Sequence, residues 1–404
     1  MVSKMQSMLA TGSQATPTRP RTHCAVAVRC HLGAASTSQP GDSNANSKCP
    51  VMRLVNGTKG LLRSAAPAVE APTRHFSYDL FDYTPFSASN YQGKYKMTMG
   101  LEPMHPMDWI EIDEHYEEEI ALRRKLVKEK RDIVIHSLPG AEAANAEMLE
   151  LLADFLPKRF PDRFTKDGNV LINHSTGDVW NLSDPSLDPL EVSALLVQED
   201  LCIMTTDEQG TLRFVSGAVL FPQRWSLLEK IGMDMRRIHE PVPLFNGEIL
   251  KPVNAFMSRI APNKPFYRAN WTISDNPELF QPLVEDDILA ANAGEIINAK
   301  VWGEQEPITP QNAGERLQTR CERETLSRFP KTGAILFTIR THMRKLNTFE
   351  KRPDKAWELA RALRNLPHDL VKYKTIAAFK DQALAYLDKI SMGKREAAVE
   401  PYLP

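Results

Sequence analysis

Three groups of side chains in this sequence have the types and spacing to do chemistry. His239 stands in the run Ile238-His239-Glu240-Pro241-Val242-Pro243. The two prolines restrict the backbone and push the residues before them toward extended conformations. An imidazole presented from so stiff a segment suits ligation or proton transfer; the plainer alternative is a histidine that satisfies a buried turn. Arg268, Asn270 and Trp271 fall in a strand-like stretch. Alternation puts Arg268 and Asn270 on one face and Trp271, a core residue by type, on the other. A guanidinium fork there pairs with carboxylates, or forms only a surface ion pair worth little. Arg320, Glu322 and Glu324 share one face of a further strand-like stretch, and Arg323 takes the other. A carboxylate on that face can hold an ammonium group and handle its proton; the alternative is a cross-strand ladder of alternating charges.

These residues need elements to position them. Asp113 caps a charged helix running to about Lys130, with Glu119 and Arg123 spaced as an i,i+4 pair. After Pro139, the positions Met148, Leu151, Leu152 and Phe155 make one helical face, and Pro157 and Pro161 end that helix. Strands are predicted at 169–173, 201–205 and 212–221. The third is interrupted by Gly217, which marks a bulge or a close backbone approach. Gln198, Glu199 and Asp200 read as a charged helix end ahead of the second strand. Short helices follow at 224–231 and 253–260, with Arg224 and Trp225 opening the first. Strands at 266–273, 317–326 and 334–341 come next, with Arg340 and His342 on one side of the last. Trp357, Ala360 and Leu363 form one C-terminal helical face; Ile376, Phe379, Ala383 and Leu387 form another. Strands, short helices, three more strands and flanking helices predict an α+β fold with an antiparallel sheet.

Composition limits the function classes. Hydrophobic content of 42% and charged content of 25% over 404 residues suffice for a buried core. A formal net charge of −1 gives no long-range field to favour nucleic acid, and no run reaches the ~18 apolar residues of a membrane span. Of the five cysteines, Cys24, Cys30 and Cys49 precede the body, and no CxxC pair occurs, which disfavours structural zinc and iron–sulfur clusters. The first 69 residues carry eight basic side chains against the single acid Asp42, among Ser, Thr, Ala and Pro. That is the composition of an organelle transit peptide, closer to a plastid leader than to a mitochondrial one. Four segments are expected: a leader over 1–74, an aromatic wrap and helical segment over 75–195, a sheet core over 196–345, and C-terminal helices over 346–404.

From Gly100 to Asp388 a series of ordered blocks resembles the haem-dependent oxidative N-demethylase, α-subunit-like family. The blocks include Leu138-Pro139-Gly140-Ala141-Glu142, Leu196-Val197-Gln198-Glu199-Asp200-Leu201 and Phe221-Pro222-Gln223-Arg224-Trp225-Ser226-Leu227. The His239 run, Arg268-Ala269-Asn270-Trp271 and Arg320-Cys321-Glu322-Arg323-Glu324-Thr325-Leu326 complete the set. The resemblance implies a PAS-like core over 196–345 that holds haem b. It also implies O₂-dependent removal of a methyl group from a small methylated amine, with release of formaldehyde. On that basis His239 is the axial iron ligand, proximal or distal, and Arg224 and Arg323 are further haem contacts. Arg268 and Glu322 are the catalytic pair. Glu324 departs from the glutamine commoner in the family. Without a dinucleotide fingerprint, a P-loop or clustered cysteines, the chain needs a separate reductase or ferredoxin to supply electrons. A non-catalytic haem sensor is the alternative reading.

Overall fold

The computed structural model describes residues 95–282 and 306–395. All of them belong to the unit Ala68–Pro404; the unit Met1–Pro67, the predicted leader and most of the aromatic segment lie outside the described residues. In chain order the elements are β1 (Glu102–Pro103), α1 (Tyr116–Val134), β2 (Ile135–Ser137), α2 (Glu142–Arg159), β3 (Phe164–Asp167), β4 (Val170–Asn173) and β5 (Asp178–Asn181). Then come α3 (Pro189–Leu196), β6 (Asp200–Thr206), β7 (Leu212–Ala218), α4 (Leu227–Lys230), α5 (Met235–Ile238), α6 (Leu250–Met257) and β8 (Phe266–Ser274). The rest are α7 (Ala313–Arg316), β9 (Gln318–Arg328), β10 (Ile335–Lys345), α8 (Pro353–Asn365), α9 (His368–Tyr373) and α10 (Lys380–Arg395).

The fold is α+β, with a large antiparallel sheet and flanking helices. The sheet runs β1-β8-β9-β10-β6-β7-β2, and β3-β4-β5 form a separate antiparallel sheet. Every pairing in the large sheet is antiparallel. Numbered from β6, its five long strands lie in the order 2-1-5-4-3. The short strands β1 and β2 extend both ends and were not legible as strands in the sequence.

Register assigns the faces, because residues directly opposite in neighbouring strands share one. Arg268 pairs with Glu324, which pairs with Ile339, and Asn270 pairs with Glu322, which pairs with Thr341, so each trio forms one row across the sheet. Further along the same face, Phe266, Leu326 and Phe337 pack with Cys202 and Met204 under the segment that contains α4, α5 and α6. The opposite face is covered by α1, α2 and α3 at the β6–β7 end and by α8, α9 and α10 at the β8–β9 end.

Local chemistry explains several element ends. Asp188 accepts from the Leu190 and Glu191 amides, and Pro189 sits at the first position of α3. Asp234 caps α5 through the Arg237 amide. Two helix expectations need correction. Pro157 lies inside α2, whose last turn continues to Arg159; there proline costs one hydrogen bond at a helix end. Glu119 and Arg123 are both buried and do not pair with each other. Glu119 receives Arg340 and Gln198, while Arg123 takes Asp200 and three carbonyls. Spacing made them neighbours, but packing offered each a better partner across the core.

Candidate functional site

His239 ends α5, and its Nδ1 lies 3.0 Å from the Met235 carbonyl. A carbonyl only accepts, so Nδ1 carries the proton and Nε2 keeps its lone pair. The ring stacks on Phe245 with centroids 3.9 Å apart and planes 7° from parallel. Desolvation pushes the imidazole down to about 4, helped by the Arg268 and Lys230 charges and opposed by the Met235 carbonyl. It is therefore neutral near pH 7. Leu244, between His239 and the stacked Phe245, has a φ of 71°, a left-handed conformation rare for a branched side chain. The loop is thus held in shape by contacts as well as by its prolines.

The sheet face below carries the predicted polar residues. Arg268 Nη1 donates to Glu324 Oε2 at 2.7 Å, with Arg268 one-third exposed and Glu324 buried. Burial raises the Glu324 carboxyl, while Arg268 opposes the rise. Arg268 Nε is buried with no hydrogen-bond partner among the described residues. One register step along, Asn270 Nδ2 donates to Glu322 Oε2 at 3.1 Å, and Arg320 Nε reaches Glu322 Oε1 at 3.2 Å. The expected sharing of a face by Arg268 and Asn270, and by Arg320, Glu322 and Glu324, is realised. The cross-strand ladder of alternating charges, given as the alternative reading, is realised between β8 and β9; which residue meets which was beyond the sequence.

Other candidates lie elsewhere. Arg323 is on the opposite face, where its guanidinium meets Glu111 at 3.2 Å, the Trp109 carbonyl, the Asp108 carbonyl and the Met104 sulfur. Arg340 and His342 also face that side. Arg340 binds Asp113 and Glu119, and His342 Nε2 sits 3.0 Å from Glu111. Arg224 precedes α4 instead of opening it: its φ is 56° and its amide donates to the Gln281 carbonyl. Its charge acts on half-buried Asp275. Trp225 packs in the apolar layer beneath the short helices, and Trp271 is core. The charged triplet Gln198-Glu199-Asp200 is fully buried rather than a solvated helix end.

A cavity of about 430 Å³ lies beside α5 and α6. It is lined by Asp234, Met235, Arg236, Leu250, Lys251 and Asn254 among others, but by neither His239 nor Arg268. Its rim is exposed at Arg236, Lys251 and Asn254, so it is a surface groove apart from the candidate residues on the sheet face.

Residues 100–384 match the family haem-dependent oxidative N-demethylase, alpha subunit-like. The chain belongs to that family. Haem dependence and oxidoreductase chemistry come with membership, and the residues around His239 fit a haem on their own chemistry. A histidine that ligates haem iron does so through a neutral imidazole nitrogen while its partner nitrogen is anchored, and the Met235 carbonyl provides that anchoring. A guanidinium with a spare buried donor, Arg268, stands close enough for its charge to act on the ring. Among the described residues no helix is long and apolar enough to cross a membrane.

Proposed function

We propose that this member of the N-demethylase family is a haem b enzyme that removes a methyl group from a small methylated amine. The strand order 2-1-5-4-3, with short helices between the second and third strands, supports reading the core as PAS-like. His239 carries the proposal: it is a neutral imidazole with Nδ1 anchored and Nε2 available, above a sheet face of paired carboxylates and cations. The overall change consumes the amine, O₂, two electrons and two protons, and yields the demethylated amine, formaldehyde and water.

When bound, the haem supplies the O₂ chemistry. The chain's own residues do the rest. His239 would present Nε2 to the haem iron while Met235 and Phe245 hold the ring. Arg268 would offer its spare donor to a haem propionate. Glu322 retains accepting capacity beyond its two donors and receives the substrate nitrogen or its proton. Arg323, expected as a haem contact, is engaged by Glu111 and by the Trp109 and Asp108 carbonyls on the opposite face and takes no part in this scheme; Arg224 stays in it as a further haem contact. The electrons come from a separate reductase or ferredoxin. The basic, Ser-rich composition of residues 1–74 supports delivery to a plastid, where ferredoxin is at hand, with the mitochondrion as the alternative.

Purified protein is expected to show a Soret band that His239→Ala shifts or abolishes, and to release formaldehyde when given a methylated amine, O₂ and reductant. A Soret band unchanged in His239→Ala removes the ligand assignment. Haem binding with no formaldehyde from any methylated amine favours the sensor reading.

A further inference from the structure

The C-terminal helices bring one more charged group to this face. Lys374 follows α9 and precedes Thr375, whose φ of 55° puts a β-branched residue in the left-handed region. β1 pairs with Phe266 and Tyr267, so among the described residues β8 is an edge strand from Arg268 onward. Lys374 Nζ meets that edge, donating to the Trp271 carbonyl at 2.6 Å and to Asn270 Oδ1 at 3.0 Å. A lysine only donates and a carboxylate only accepts, so these two neighbours fix which way the Asn270 amide points. Its Nδ2 therefore faces Glu322. The result is a continuous series, Lys374 to Asn270 to Glu322, closed by Arg320 on the other carboxylate oxygen.

Charge gives this series a second property. Arg268, Arg320 and Lys374 are three cations against the two carboxylates Glu322 and Glu324, which leaves one net positive charge. Burial pushes Lys374 down to about 8; Glu322, Glu324 and Cys321 pull it up, and Arg268 pushes it further down.

We propose that Lys374 is a positioning residue for the amine: by holding Asn270 it fixes the orientation in which Glu322 receives the substrate nitrogen, and its charge governs how readily an ammonium enters. This rests on the amine reading of the site. The competing role is a structural cap on the β8 edge through the Trp271 carbonyl alone.

The test is calorimetric titration of haem-loaded protein with methylamine and dimethylamine, ammonium ions throughout, at pH 7 and pH 9. Wild type is expected to bind more tightly at pH 9, as Lys374 sheds its proton, by about three- to tenfold. Lys374→Arg keeps the Asn270 contact and the charge, so it retains affinity at pH 7 and loses the gain at pH 9. Lys374→Met loses both the contact and the repelling charge, which nearly cancel at pH 7, so its affinity there is expected within about threefold of wild type; it shows no gain at pH 9, where it binds about tenfold more weakly than wild type, the worth of the lost contact. The Soret band reports that the haem pocket of each variant is intact. Lys374→Met with wild-type affinity and wild-type pH dependence overturns the proposal and leaves the amine reading standing. Wild-type protein that binds neither amine overturns the amine reading, and the role of Lys374 with it.

Discussion

Arg268 and Glu324 are unequal partners: the arginine is one-third exposed and the carboxylate is buried. Removing the arginine alone leaves a desolvated carboxylate, whereas removing both charges leaves little to compensate. Arg268→Met is therefore expected to lower unfolding stability by about 2 kcal/mol, reduced from the fully buried case because the arginine keeps water contact. The double variant Arg268→Met/Glu324→Gln should recover to within about 1 kcal/mol of wild type. Urea unfolding of the two single variants and the double variant closes the cycle. A double variant as unstable as Arg268→Met would show that the pair is not an isolated unit. Gln at 324 is a neutral amide of the same length, so this exchange also asks whether the site works without a carboxylate there.

At the scale of elements, the β6–β7 pair shows how one residue lets a helix approach a sheet. The register shifts between Ile203 and Met204, leaving Val215 as an extra residue in β7. Two positions on is Gly217, opposite Cys202. A Cβ at Gly217 would lie 2.8 Å from Phe214 Cζ and 2.9 Å from Leu227 Cδ1. Both alternatives read from the glycine thus occur in this strand, the bulge beside it and the close approach at it. Leu227 opens α4, so the glycine sets how closely the short-helix segment that leads to His239 lies on the sheet. Gly217→Ala is expected to cost about 1–2 kcal/mol through overpacking, read as a lower melting temperature, and to weaken haem retention. An alanine variant as stable as wild type would mean that Phe214 and Leu227 step aside freely.

The whole molecule is tied together on the face away from His239. Five buried carboxylates, Glu111, Asp113, Glu119, Glu199 and Asp200, meet three buried guanidiniums, Arg123, Arg323 and Arg340. This network joins α1 and the chain before it to β6, β9 and β10. Glu199 accepts from the Glu111 amide through one oxygen, and its other oxygen is buried with no hydrogen-bond partner among the described residues. Burial pushes Glu199 up to about 7, with Glu111 adding to the rise and Arg340 opposing it. A carboxyl raised in the folded state contributes stability that is fully present below its unfolded value of 4.5 and is lost as pH rises through 7. Wild type should therefore lose stability between pH 5 and pH 8, and Glu199→Gln, which cannot ionise, should lose less. At pH 8 the variant is expected to be the more stable by on the order of 1–3 kcal/mol, and at pH 5 the two should match. Urea midpoints at both values check it; a variant less stable at pH 8 would mean that ionised Glu199 is needed by Arg340.

Much of the local order was legible in the sequence. The apolar face of Met148 and Leu152, the six predicted strands and the sharing of a face by Arg320, Glu322 and Glu324 follow from periods of 3.6 and 2, which are properties of the backbone. The stiffness of the His239 segment follows from its prolines, and the ordered blocks carried the family. What period cannot supply is which layer covers a face or which partner a charge meets. Glu119 and Arg123 looked like neighbours and found partners across the core. Gln198-Glu199-Asp200 looked solvated and is buried. Arg323 meets Glu111 and Asp108 more than two hundred residues away in sequence, and Lys374 reaches Asn270 across 104. Contacts of that range depend on strand order and register, which the packing of the whole chain sets. Sequence alone therefore determined the elements, the family and the stiff histidine, while the tertiary structure decided which polar residues stand together beneath it.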